Sequence, residues 1–545
     1  MERLAVLPFE NLSADPALDW AGPALAGMLV DEVSASTRIY AYRAGDLGAA
    51  RLTGATRVLQ GYYSRSGGGL TIHAVVEDLR TRRNTKALEA RGGVDSGFGQ
   101  ASESLARGID DRTRPFGTAN TAALRAWGEA QLAGDNSHRA EALQRAIAAD
   151  PNFGAAYADL LQLYVSSGSP ALAQPLVKQA SDRLSQFTDL DRARFEYVLS
   201  GVRHDDRERR EALMALSRLI TTDTQTLQAL AETELNGHRF DSAVDLFKSA
   251  TAISPENATL WNELGYAESY RGNLAGARAA LEQYRALQPA QANALDSLGE
   301  VHFFAGSFGE AATYFLEAER LQPGFLGGGE LLKAAQARYL GGNLTEADGL
   351  YAQFDKLRRN GHDPVADIRK ARWLYISGRR AEAVALAGAS AKNTNPDIAA
   401  YAECHLSLWA MDAGDRTQAL AHAAPAAQLA HNPGIQQLAA LCRYLAEPST
   451  QPVTPLAQGY ASVFAKDSAR AVTLLKPLYD QAGPASDGDV RTLYAWALAG
   501  AGRREEARPL LQRYYIPLGA NEEGLISSQL FPRFLALRSS IAGSK

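Results

Sequence analysis

PENATLWNELGYAESYRGNLAGARAALEQYRALQ (255–288) runs directly into PAQANALDSLGEVHFFAGSFGEAATYFLEAERLQ (289–322), and the two lines match at a fixed offset. Pro255, Pro289 and Pro323 fall 34 residues apart, as do Leu264 and Leu298, Gly265 and Gly299, Ala277 and Ala311, and Leu281 and Phe315. The same step reaches back to Leu230, Ala231, Ala243 and Phe247. A period of this length marks a unit of two antiparallel helices that cannot bury its apolar face alone and so stacks on its neighbours. The small residues sit where the two helices approach closely, and the larger apolar ones fill the interior. Each proline disfavours helical geometry in the residue before it and ends the second helix.

Stacking leaves a concave surface lined by first-helix residues that do not pack inside. Projecting the repeat onto it selects Gln228 and Glu232, Asn262 and Tyr266, then Asp296 and Glu300, with Phe303 and Phe304 on the next turn. Some repeat arrays clamp a carboxy-terminal carboxylate with groove lysines, arginines and asparagines. Here the matching offsets carry Gln, Asn and Asp, with Glu at two of the three following positions. The predicted groove is acidic and aromatic: it repels a carboxylate and favours a basic or neutral peptide. The alternative reading is a row of solvated first-helix residues.

The 545 residues carry a net charge of −5, with 46% hydrophobic and 21% charged residues. That is ordinary for a folded soluble protein, and so small a charge gives no general attraction to nucleic acid or anionic membrane. The only two cysteines, Cys404 and Cys442, cannot build a framework of several disulfides, and their apolar helical contexts suit small buried hydrophobes. The apolar run 4–9 is too short for a signal-peptide core. The longest uncharged stretch, between Arg416 and Arg443, is broken by Pro425 and by NPG (432–434), so no membrane-spanning helix is predicted. The expected location is the cytoplasm, or the periplasm if the chain is part of a longer membrane-anchored one.

The first 115 residues have a different texture. Strands are predicted at 4–9, 38–43, 57–64, 70–78 and 86–92, and helices at 19–35, 46–52 and 98–110. The 57–64 and 70–78 strands join through SGGG (66–69). The order β-α-β-α-β-β-β-α implies a mixed sheet with helices on at least one face. AVLPFENLS (5–13), VLQGY (58–62) and LTIHAVVED (70–78) carry a family likeness: residues 3–110 resemble TolB-like amino-terminal domains. RTRR (80–83) departs from that family's usual turn, and Leu88 and Ala90 replace its aromatic pair. The resemblance implies a bacterial signalling or regulatory context, in which such domains often precede tetratricopeptide repeats and follow a kinase or winged-helix module; neither module is read in this sequence.

From about residue 118 the texture is helical. Beyond the regular array, helix pairs are predicted at 330–357, 366–389, 399–429, 456–479 and 491–514, with GGN (341–343), Gly378, Gly414 and Gly502 at the turns. This region resembles tetratricopeptide repeats. The fold class is therefore α+β: a small mixed α/β TolB-like domain (1–115) followed by a mainly α solenoid of about ten helix pairs. Irregular pairs occupy 116–222, regular repeats 223–325 and divergent pairs 326–540.

No motif of catalysis or metal binding is present. GAGRR (500–504) lacks the Lys-Ser or Lys-Thr of a phosphate loop, no Gly-x-Ser-x-Gly elbow occurs, and the nine histidines, His405 included, are scattered. Arg80, Arg82, Arg83 and Lys86 form one basic cluster, read as a solvated hairpin turn that discourages edge pairing. No catalytic residue, cofactor or metal is predicted. The expected function is a noncatalytic scaffold or adaptor that binds a protein or peptide in the groove, with no nucleic acid as partner. The alternative is the sensory part of a serine/threonine kinase or winged-helix regulator lacking its effector module.

Overall fold

The computed structural model describes residues 1–66, 69–93, 96–448, 454–519 and 526–542. Gly67 and Gly68 of the predicted 66–69 loop lie outside the described residues, as do 449–453 and 520–525 of the last predicted segment. The chain forms two compact units, Met1–Thr233 with Asp245–Glu256, and Glu234–Val244 with Asn257–Lys545.

The first unit opens with β1 (Glu2–Val6), β2 (Glu10–Asn11), α1 (Ala21–Val33), β3 (Ile39–Arg43), α2 (Leu47–Leu52), β4 (Arg57–Ser66), β5 (Gly69–Asp78), β6 (Arg83–Gly93) and α3 (Phe98–Ile109). This is the predicted order with one addition. The run 4–9 does not form one strand: Pro8 offers no N–H to a ladder, so β1 stops at Val6 and β2 pairs separately with β4. The sheet order is β3-β1-β4-β5-β6, parallel from β3 to β4 and antiparallel beyond. Leu4, Ala5 and Val6 are all buried, as a central parallel strand requires. Strand β5 alternates instead, burying Leu70, Ile72, Ala74 and Val76. At the β5–β6 turn the Asp78 carboxylate accepts the N–H groups of Arg80 and Thr81. Lys86 is not a free member of the basic cluster, because its ammonium donates to the Gly108 and Ile109 carbonyls and so caps the negative end of α3.

Three helix pairs follow: α4 (Thr121–Leu132) with α5 (Asn136–Ala149), α6 (Gly154–Ser166) with α7 (Pro170–Ser181), and α8 (Asp189–Arg203) with α9 (Asp206–Leu219). One hydrophobic cluster runs from Leu4 on the sheet through Leu25, Phe98 and Trp127 to Leu199. Gly27 makes the close approach possible, since a Cβ there would lie 2.4 Å from the Trp127 ring. The chain passes between the units within α10 (Thr224–Asn236) and α11 (Phe240–Ile253).

In the second unit the pairs are α12 (Ala258–Tyr270) with α13 (Leu274–Leu287), α14 (Ala292–Ala305) with α15 (Phe308–Leu321), α16 (Gly329–Leu340) with α17 (Leu344–Asn360), and α18 (Ala366–Ile376) with α19 (Arg380–Ser390). Helix α20 (Pro396–Asp412) pairs with α21 (Arg416–Leu429); α22 (Pro433–Ala446) stands alone; α23 (Pro455–Phe464) pairs with α24 (Ser468–Gln481) and α25 (Gly488–Gly500) with α26 (Arg504–Leu510). A last helix is α27 (Ser527–Ala542). The small positions act as predicted: a Cβ on Gly265 would meet Leu281 at 2.5 Å, and one on Gly299 would meet Phe315 at 2.5 Å. The residues before Pro289 and Pro323, Gln288 and Gln322, are non-helical (φ −132° and −138°) and end their helices.

Two helices escape the periodicity. NPG (432–434) reads as a break, yet Asn432 caps α22 and Pro433 takes its first position, where a missing N–H costs nothing. Helix α27 stands outside the pairing and has no repeat offset to announce it. Helix α26 ends at Leu510 rather than near 514, one residue after Pro509.

Candidate functional site

Among the residues projected onto the groove, Gln228 and Glu232 belong to the first unit, where the Gln228 amide donates to Glu232 at 2.9 Å. Asn262, Tyr266, Asp296, Glu300 and Phe303 belong to the second. Asn262 is half-buried, and its side-chain oxygen has no hydrogen-bond partner among the described residues. Tyr266 donates to Glu300 at 2.7 Å, and the Ser297 hydroxyl lies 3.2 Å from the same phenol oxygen. Phe303 lies elsewhere: it is fully buried inside the helix pair, edge-on to Phe308 at 5.4 Å. Its neighbour Phe304 faces the groove, stacked on Tyr270 at 6.2 Å. One helical residue turns the side chain by about 100°, enough to exchange interior for groove.

The groove is not simply acidic. Lys333 on α16 donates to Asp296 at 2.5 Å and to Glu300 at 2.8 Å, with Glu330 at 3.5 Å. Glu330 is completely buried, and burial pushes its carboxyl up to about 9, assisted by Asp296. Burial, then Glu300, raises Asp296 to about 6. The Lys333 ammonium is nearly buried, but the three surrounding carboxyl groups outweigh that penalty and hold it charged. The cluster is an internal ionic knot rather than an open acidic stripe.

Its pH behaviour follows. Glu330 binds its proton more tightly folded than unfolded, so its contribution to stability is complete below about pH 4.5 and is lost as pH rises through about 9. Glu330→Gln is expected to flatten the fall in melting temperature between pH 6 and pH 9. Parallel pH profiles of the two proteins would show the carboxyl to be hydrated.

The segment after α26 lies against this face. Residues 514–519 belong to no helix or strand. The Tyr514 N–H donates to the Phe304 carbonyl at 3.0 Å. The Gln336 amide grips Leu518 on both sides, donating to its carbonyl at 2.8 Å and accepting its N–H at 2.9 Å. Arg513 makes two 2.9 Å bonds to Asp487 while its guanidinium lies 4.5 Å from the centre of the Tyr270 ring. Beside it lies a cavity of about 310 Å³ whose walls include Tyr270, Phe304, Tyr479, Asp487, Arg491 and Arg513. His238, between α10 and α11, stacks on Tyr479 at 4.5 Å, with its ring Nε2 3.0 Å from the Ala482 carbonyl and 3.2 Å from that of Tyr479.

Lys333, Gln336, Tyr270 and Arg513 are the residues that the groove projection missed. Part of the signal was present, because Glu330 lies 34 residues after Asp296 and Phe304 lies 34 after Tyr270. Extending the column across GGG (327–329) reaches Glu330 and, one turn later, Lys333. Arg513 has no such signal. His405 is fully buried, its ring 4.7 Å from Tyr401 and 5.6 Å from Trp409, and burial holds it well below the usual histidine range. Among the described residues no group of His, Cys, Asp and Glu is placed to hold a metal ion, and no helix is long and apolar enough to cross a membrane.

No family model matches the sequence. No curated protein matches it either. Among solved structures the chain is similar to a crystal structure of MamA protein, at 18% identity and a TM-score of 0.28, over 31% of this chain and 92% of that one. It is similar to MamA from Desulfovibrio magneticus RS-1 at 17% identity and a TM-score of 0.28, over 32% of this chain and 96% of that one. It is also similar to the C-terminal part of a TPR repeat-containing protein from Cytophaga hutchinsonii, at 15% identity and a TM-score of 0.33, over 42% and 91%. These scores carry no inference about function. The architecture described above is a small mixed sheet followed by a long array of antiparallel helix pairs.

Proposed function

We propose that this protein is a noncatalytic interaction scaffold that binds a polypeptide segment in the groove of the second unit. The observation that carries this reading is the hold of the Gln336 amide on both main-chain groups of Leu518. A side-chain amide that satisfies a donor and an acceptor on one residue reads backbone, and so accepts a peptide as a peptide. The setting of Arg513, between an aromatic face and Asp487, supports a basic or neutral segment over an acidic carboxy terminus. The eight predicted elements of residues 3–110, found in the expected order, support the TolB-like reading and with it a bacterial signalling or regulatory role.

Selecting random twelve-residue peptides against the whole chain tests the reading. Enriched peptides are expected to lose binding on Tyr270→Ala or Phe304→Ala and to keep it on Val384→Ala, an exposed position on α19. Peptides indifferent to both groove substitutions would overturn it.

A further inference from the structure

We propose, resting on the scaffold reading above, that residues 511–519 act in cis as a stand-in ligand, occupying the groove until a partner segment of like chemistry displaces them. That chemistry is an arginine followed by an aromatic pair and an aliphatic-Pro-Leu run, as in Arg513-Tyr-Tyr-Ile-Pro-Leu518. The partner is a non-helical polypeptide segment of this kind.

The occupant is held as a bound peptide is held. The main-chain bonds of Tyr514 and Leu518 go to the array, to the Phe304 carbonyl and to Gln336, rather than to a helix or strand of their own. Phe304 is free to accept because α14 ends one residue later, at Ala305, and is capped by the left-handed Gly306 (φ 83°). A Cβ on Gly306 would lie 3.0 Å from the Tyr514 ring, so the glycine also makes room for that side chain. Side chains then alternate between contacts. Tyr514 meets Phe308 edge-on at 4.9 Å, Tyr515 meets Phe531 and Phe534 of α27 at 5.3 Å each, and Leu518 is buried beside Leu332, Tyr351 and Phe354. This combination of backbone bonds for grip and side-chain contacts for selection is how grooves read short segments.

The fit is also incomplete, which is what permits exchange. The cavity of about 310 Å³ beside Arg513 has polar walls from Asp487 and Arg491 and aromatic walls from Tyr270, Phe304 and Tyr479. A partner residue with a larger or longer side chain fills space that the chain's own segment leaves open, and atoms bordering a void lack contact partners on that side. A tethered occupant competes at a high effective concentration, so it weakens partner binding until its own contacts are loosened. Helix α27 supports the occupied state: Arg538 donates to the Gln512 carbonyl at 2.7 Å and lies 4.3 Å from the centre of the Tyr514 ring, and Ser527 donates to Asp489.

The probe is a fluorescent peptide LQRYYIPLG, with a second peptide carrying glutamate in place of the arginine. Fluorescence anisotropy with the whole chain is compared with an Arg513→Ala chain whose circular dichroism and melting are cooperative. The variant is expected to bind the first peptide at least about tenfold more tightly than the unaltered chain does, and neither protein to bind the glutamate peptide. Equal affinity for both proteins, or no binding by the folded variant, overturns the proposal. Should Arg513→Ala fail to fold, hydrogen exchange of the unaltered chain with saturating peptide decides instead. Faster exchange at the Tyr514 and Leu518 amides supports displacement, and unchanged protection overturns it. Selected peptides that need Tyr270 and Phe304 but leave those amides protected would sink this inference while sparing the scaffold reading.

Discussion

Lys333→Met is expected to destabilise the second unit by about 3–5 kcal/mol, the cost of leaving buried charge without its partner. The methionine keeps most of the side-chain volume, so the loss reports the ammonium rather than a cavity. Asp296 and Glu300, now 2.5 and 2.8 Å from the Lys333 nitrogen, would lose that cation in a site where both are largely buried. The variant can recover by binding protons, so its deficit should shrink as pH falls from 8 to 5. Urea unfolding followed by circular dichroism at several pH values measures this. A second substitution, Asp296→Asn, should return part of the lost stability, because the pair then loses a charge on each side. A deficit below about 1 kcal/mol with no pH dependence would mean that the knot is solvated.

Arg194→Met is expected to cost the first unit about 3–5 kcal/mol for the same reason. Arg194 on α8 makes two bonds, of 2.6 and 2.7 Å, to Asp31 on α1, and so ties the helical pairs to the sheet-bearing part. Two more carboxylates draw on the same charge: burial raises Asp191 to about 6, and raises Asp159 despite the bond it accepts from the Trp127 ring nitrogen at 2.8 Å. Losing the guanidinium would leave three acids in one region, with Asp31 the most exposed to the loss. Arg194→Lys should recover only part, since one ammonium cannot span both oxygens as the planar fork does. Thermal unfolding monitored at tryptophan, with Trp127 in the affected core, reads the difference. An unchanged midpoint would place the stability of this unit entirely in its hydrophobic cluster.

The helical array was legible because helix pairing is a local matter. Gly265 against Leu281 and Gly299 against Phe315 lie within one repeat, so a spacing of 34 residues records them directly. The mixed sheet was legible for a related reason: alternation in β5 and the continuous apolar run of β1 report burial on one face or two. The change of texture near residue 115 marks where the strands stop, while the packing of Gly27 on Trp127 runs across it. Where local signals mislead, one residue decides, as Pro8 does in dividing a strand and Pro433 in starting a helix.

The candidate site divides along the same line. Sequence alone determined that first-helix positions at 262, 266, 296 and 300 share one face, because helical periodicity fixes direction relative to a neighbouring repeat. It did not determine what that face meets. Gln336 and Leu518 are 182 residues apart and exchange two hydrogen bonds, and Arg513 reaches Tyr270 and Asp487 from a stretch with no repeat of its own. Lys333 turns an apparent acidic stripe into a neutralised knot for a similar reason, since a charge on one helix is answered from the next only after the two have packed. Spacing encodes contacts between neighbours in a stack. Only tertiary structure decided which distant segment lies against that face, because contacts such as that of Gln336 with Leu518 join residues far apart in the chain that no repeat spacing relates.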